Sequence, residues 1–175
     1  MTKWKVDQSH SSVGFEVKHM MVSKVKGQFD SYSADVEAAD LSDLTTASIT
    51  FKFDVASINT KNADRDNHLR SADFFDAEKY PTITFTSTSI SKDGDDYKVT
   101  GDLTIKDVTK EVTFDVEFGG KGVNPWGVEV YGFEAEGKIN REDFGLTWNA
   151  PLETGGVLVG KDVKIKVELE LNPEA

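Results

Sequence analysis

Along most of the chain apolar and polar residues alternate, which puts every second side chain on one face of a β-strand. Val13, Phe15 and Val17 alternate with Ser12, Gly14, Glu16 and Lys18. Ala47, Ile49, Phe51, Phe53 and Val55 alternate with Ser48, Thr50, Lys52 and Asp54. The same period runs through Ile83 and Phe85, Tyr97 to Ile105, Val112 to Phe118, Tyr131 to Ile139 and Val163 to Leu171. A further segment lies around Phe29 to Val36, where the phase slips between Val25 and Val36 and predicts a β-bulge. Together these make about eight strands, the number of a sandwich or a small barrel. One stretch, Asn62 to Phe75, reads as a helix with Asn62 or Asp64 as its cap, and a short helical turn is expected over Asn140 to Asp143. Gly101, Gly132 and Gly137 interrupt strands and fit bends in a closing sheet.

One strand face is charged and threonine-rich, hence solvated; the other is apolar and heavy in phenylalanine, of which there are 11. So little helix cannot cover a broad apolar sheet, so the sheet must fold against itself. A sandwich closes that face completely, whereas an eight-stranded barrel leaves an interior wide enough for side chains or one small ligand. Periodicity alone does not choose between them. At 175 residues, with no repeat, low-complexity tract or linker, residues 1–175 read as one domain.

Charge narrows the partners. The net charge is −11 with no basic stripe, which repels phosphate backbones and argues against nucleic acid. The absence of cysteine excludes disulfides, thiolate metal sites and cysteine nucleophiles. No apolar run reaches the ~18–20 residues of a membrane-spanning helix. The start, Met1 to Asp7, lacks the ~7–15-residue apolar region of a signal peptide, so a cytoplasmic protein is expected if this is the native start.

Three segments carry more chemistry than alternation requires: Asp7-Gln8-Ser9-His10-Ser11 running on to His19, Asn62 to Asp76, and Asn140 to Trp148. The histidines, His10, His19 and His68, show no close metal-ligand spacing, so structural hydrogen bonding or contact with a ligand head is expected and no metal or cofactor is implied. Asp64 and Asp66 would point apart on a helix, and aspartates there suit the positive end of its dipole better than paired-carboxylate catalysis. Asp143-Phe144-Gly145 matches a kinase magnesium motif without the nucleotide loop or helical lobe that motif needs. Gly119 to Gly122 is too short for a phosphate loop, and no nucleophile elbow surrounds Ser9, Ser11 or Ser12.

Taken in order, the segments form a longer pattern. It runs Asp7-x-x-His10-Ser11-x-x-x-Phe15-x-Val17-x-His19, then Arg65-Asp66-x-His68-Leu69-x-Ser71-x-Asp73-Phe74-Phe75-Asp76 with Pro81 and Phe85. Gly101-Asp102-Leu103-Thr104-Ile105, Val108-Thr109-Lys110, Asn140-Arg141-x-Asp143-Phe144-Gly145-Leu146-x-Trp148 and Val159-Gly160-x-x-Val163 complete it. This pattern resembles the YceI-like family of lipid-binding proteins. The resemblance implies an all-β fold: a single extended eight-stranded antiparallel lipocalin-like barrel with one short helix, often a homodimer. It also implies non-catalytic binding, transport or storage of a polyisoprenoid or fatty-acid-like long-chain amphiphile along the barrel axis. Some members are exported to the periplasm, whereas this sequence shows no leader.

If the barrel is open, strand phase assigns its wall to Phe15, Val17, Phe29, Phe51, Phe53, Phe85, Phe114, Phe133, Phe144 and Trp148. The helix and the Asn140 turn then belong near an opening, with Arg65, His68 and Arg141 as contacts for a ligand head. The alternatives are that the rings pack solidly against one another and that the two arginines pair with nearby aspartates to hold loops. Burying each isoprene unit is worth about 4 kcal/mol at ~0.8 kcal/mol per carbon, so affinity is easy and tail selectivity loose. Asp64, Asp66 and Asp143 oppose a diphosphate and favour a neutral or singly charged head. Two other classes compete with the carrier: an enzyme acting on a lipid or sugar through Asp66 and His68, and a filled structural or stress-related barrel with a protein-interaction role.

Overall fold

The computed structural model describes residues 2–20, 22–149 and 159–173. Its strands are β1 (Thr2–Val6), β2 (Ser12–His19), β3 (Ser23–Phe29), β4 (Tyr32–Ala38), β5 (Ser48–Asp54), β6 (Ile58–Asn59), β7 (Thr82–Asp93), β8 (Asp96–Ile105), β9 (Val108–Val123), β10 (Glu129–Asn140) and β11 (Val159–Pro173). One helix, α1 (Ala63–Arg70), lies between β6 and β7 in the chain. Among the described residues no helix is long and apolar enough to cross a membrane.

These segments make eight staves of one antiparallel ring. β1 and β2 both run along β11, pairing Val6 with Leu171 at one end and Val17 with Val163 at the other. β4 and β3 then run back along β1 and β2, and β5 and β6 along β4 and β3. From β5 the order continues through β7, β8, β9, β10 and β11, and the β1–β11 ladder closes the ring. The outcome is the barrel rather than the sandwich, with its first three staves each broken once.

Every break has a local cause. Between β1 and β2, the carboxylate of Asp7 accepts from the Ser9 N–H and starts a tight turn. Between β5 and β6, Asp54 does the same for Ala56 N–H. Between β3 and β4, Asp30 N–H and Ser31 N–H are taken by the carbonyl and hydroxyl of Ser57. The phase slip over Val25 to Val36 is therefore a strand break at Asp30–Ser31 rather than a bulge. A register shift does occur at Gly132, one of the glycines expected to bend the sheet.

Helix α1 is shorter than the expected Asn62 to Phe75. Asn62 caps it, accepting from Arg65 N–H, and it stops at Ser71, whose hydroxyl donates to the His68 carbonyl. Beyond it Phe75 N–H returns to the Leu69 carbonyl, a turn that carries Phe74 inward to 7% exposure. The expected turn after β10 is present as a single tight turn, Arg141–Phe144.

One barrel end is packed shut. Trp4 meets Tyr131 edge-on at 5.1 Å, its indole donates to the Ala38 carbonyl, and the β4–β5 loop tucks in Leu41 and Leu44. Tyr97 ties that loop down by donating to the Ser42 carbonyl at 3.0 Å.

Three glycines carry a phenylalanine ring laid across them. A Cβ on Gly27, Gly101 or Gly137 would sit 2.4, 2.6 or 2.5 Å from ring atoms of Phe15, Phe85 or Phe114. At Gly101 the Thr86 carbonyl oxygen is also 2.4 Å from that position, and backbone does not yield easily. Gly101→Ala is therefore expected to destabilise by about 1–3 kcal/mol, the range for forced overpacking, in urea unfolding. An unchanged midpoint would show that the ladder there can shift.

Candidate functional site

The inward rows of the ring leave a cavity of about 580 Å³, inside the ~300–1,000 Å³ range of small-molecule sites. Its wall takes Phe15 and Val17 from β2, Phe29 from β3, Phe51 and Phe53 from β5, Phe85 from β7, Phe114 from β9 and Phe133 from β10. Strand alternation puts them there: each shares phase with its neighbours across the ladder. Phe15, Phe29 and Phe53 follow one another at 5.8 Å steps, and Phe85 lies 5.2 Å from Phe114. The rings line the bore without plugging it, so the interior is hollow.

Val36, Leu44 and Leu171 form its floor above the packed end. The opposite end is the mouth. There β2 finishes at His19 opposite Val159, where β11 begins, and β10 finishes at Asn140 opposite Asp162. Trp148 stands at this rim, 4.7 Å edge-on from His68, which also meets Phe74 at 5.0 Å. Phe74, Phe75 and Leu69 complete the wall beside α1.

Phe144 is not on the wall. It is buried at 2% exposure in the Arg141–Phe144 turn, away from the cavity lining. The strand phase that assigned it ends with β10 at Asn140, so the alternation cannot be carried past that residue.

Arg141 reaches the cavity but is bound from behind. Its Nε donates to the Gly160 carbonyl at 2.8 Å, Nη1 to those of Leu146 and Trp148 at 2.5 and 3.0 Å, and Nη2 to that of Val159 at 3.3 Å. It therefore holds the turn, the Trp148 segment and the start of β11 together. Its partners are carbonyls rather than the nearby aspartates of the alternative, and no described carboxylate forms an ion pair with it. Burial pushes its pKa below the ordinary arginine value, with the charge of Glu142 acting the other way, yet a guanidinium stays protonated at neutral pH.

Arg65 is half-buried at the rim. Its Nε donates to Thr60 Oγ1 and its Nη2 to the Thr60 carbonyl, both at 2.8 Å. Thr60 is in turn fixed by Asp66, whose Oδ1 accepts from its N–H at 2.8 Å and its hydroxyl at 2.5 Å. Asp66 is thus buried, engaged and off the cavity wall. His68 faces the cavity and bonds Asp73 through Nε2 at 3.0 Å. The pair named for catalysis, Asp66 and His68, is not brought together on the wall.

His10 converges with two carboxylates, which its sequence spacing did not suggest. Its Nδ1 lies 2.8 Å from Asp7 and 3.2 Å from Glu170, and the three ligand-type atoms are within 4.8 Å of one another. The hydrogen bond to Asp7, then the charges of Glu170 and Asp7, raise its pKa above the ordinary histidine value. None of the three lies on the cavity wall. Their place is the break between β1 and β2, which they pin to β11.

Several wall residues escaped the sequence reading. Val163, Ile165 and Val167 of β11 and Ala135 and Ile139 of β10 were in phase and needed only the same argument. Phe74 and Phe75 were hidden by the assumption that their helix continued.

The YceI-like domain pattern matches residues 4–171. A UPF0312 protein of Staphylococcus aureus (strain MSSA476) is 49% identical over 173 residues, 98% of each chain. Among solved structures, BcnA of Burkholderia cenocepacia superposes with a TM-score of 0.81 at 30% identity, covering 94% of this chain and 98% of its own. The Campylobacter jejuni YCEI protein gives a TM-score of 0.77 at 37% identity over the full length of both chains. A polyisoprenoid binding domain from Saccharophagus degradans shares the fold, with a TM-score of 0.69 at 15% identity over 99% of this chain and 100% of its own.

Proposed function

Because the chain belongs to the YceI-like domain family, we propose that its bore holds a long-chain amphiphile of the polyisoprenoid or fatty-acyl kind, which it carries or stores without chemical change. The observation that carries this reading is the hollow, phenylalanine-lined cavity of about 580 Å³, floored by Val36, Leu44 and Leu171 and rimmed by polar side chains. An apolar tail enters the bore because its burial removes water from carbon at ~0.8 kcal/mol per methylene. The polar head stays at the rim, where Arg65 and His68 face the cavity. The Saccharophagus domain contributes the fold alone: on the same barrel, a polyisoprenoid binding domain has been built.

Catalysis finds less support, since Asp66 is engaged by Thr60 and His68 by Asp73. Native mass spectrometry of protein purified from its source, followed by solvent extraction, tests the carrier reading. An apolar adduct that dissociates on extraction is the expected result. Protein that is always empty and refuses both prenyl alcohols and fatty acids would overturn it.

A further inference from the structure

Among the described residues, the lining of the bore does not share the acidic balance of the chain. The chain carries −11, yet among the described residues the ionisable side chains reaching the cavity are Lys18, His19, Arg65, His68 and Arg141 against one carboxylate, Asp64. Lys18 follows the outward phase of β2, so its ammonium belongs to the outer surface. Asp64 is exposed in the first turn of α1. Asp66, the acid nearest in sequence, is buried and bound to Thr60. Facing inward with Asp64 among the described residues are Arg65, Arg141, His19 and a His68 that is paired with Asp73.

Two of these groups are permanent cations, and each is set differently. Arg141 is 4% exposed, donates only to backbone carbonyls and forms no ion pair among the described residues, although the charge of the adjacent Glu142 acts on it. A cation held out of water with no carboxylate in contact keeps its surroundings electropositive, because the low dielectric weakens its field little. Arg65 is braced so that one edge of its fork is occupied and another open. Thr60 takes the Nε and Nη2 donors, while Nη1 makes no hydrogen bond or ion pair with any described residue. The open Nη1–Nη2 edge presents two parallel N–H donors, the geometry that a carboxylate accepts.

We propose that the bore prefers an amphiphile whose head is a carboxylate, a long-chain fatty acid, seated on the open edge of Arg65 at the mouth with the charge of Arg141 behind it. This rests on the carrier reading above and adds the chemistry of the head.

The test is equilibrium binding of oleic acid, oleyl alcohol and oleylamine, three ligands of one tail, at neutral pH and low salt. The acid is expected to bind about tenfold more tightly than the alcohol, the effect of one charge-assisted bidentate contact at a partly exposed site, with the amine weakest. Arg65→Gln should erase the difference between acid and alcohol. Arg65→Lys, which keeps the charge but not the fork, should retain part of it and so separates loss of charge from loss of fold. Equal binding of acid and alcohol by the unmodified protein, or a preference that survives Arg65→Gln, overturns the proposal while leaving the carrier reading intact. Failure of all three ligands to bind overturns the proposal, and the carrier reading falls with it only where prenyl alcohols are refused as well.

Discussion

Replacing Arg141 by alanine is expected to remove about 3–5 kcal/mol of stability through carbonyls left unpaired, a large part of the ~5–15 kcal/mol that holds a typical domain folded. The guanidinium serves four carbonyls, those of Leu146, Trp148, Val159 and Gly160. Deleting it leaves acceptors without donors in a site where Arg141 itself is only 4% exposed, at ~1–3 kcal/mol for each one that water does not reach. The loss should be local first, because the contacts join the turn after β10, the Trp148 segment and the first residue of β11. Urea unfolding followed by tryptophan fluorescence measures it. Arg141→Lys should fall between, since an ammonium has three donors on one atom and cannot span four carbonyls. A loss below about 1 kcal/mol in the alanine variant would mean that these carbonyls find other partners.

Placing tryptophan at Ala135 is expected to weaken binding of any long apolar ligand by at least about 100-fold while leaving the fold intact. Ala135 lies in register with Val116 of β9 and Val167 of β11, and all three face the cavity. An indole there meets empty space rather than packed neighbours, so the usual penalty for overpacking is small, and filling the void is itself stabilising. The tail, in contrast, loses the middle of its path. Titration with oleic acid, read beside a thermal unfolding curve, separates the two effects. Full binding in a stable Ala135→Trp protein would place the ligand outside the bore.

The sheet was legible because alternation is a local signal: a strand half-buried on one face writes its period into every second residue. Closure into a ring was not, since the same rows suit a sandwich, and only the shared ladder of β11 with β1 and β2 decides it. Phase located the phenylalanine wall for as long as strands lasted and failed at Phe144, one turn beyond the end of β10. The two arginines read alike in sequence. Arg141 is engaged by carbonyls 5 to 19 residues further along the chain, whereas Arg65 keeps an open edge because Thr60, five residues earlier, holds only one side of its fork. Such differences depend on where the chain returns, which no spacing rule records.

The calibre of the lumen is governed from positions that contribute nothing to its surface. Phe15, Phe85 and Phe114 recline on Gly27, Gly101 and Gly137, and so lie flat against the staves instead of standing toward the axis. A methyl group at Gly27 or Gly137, where the nearest obstacle is the ring itself, is expected to tilt that ring inward and constrict the passage without altering a single lining residue. Relatives with the same aromatic inventory could therefore accommodate guests of different girth, and a comparison confined to the lining would overlook the reason.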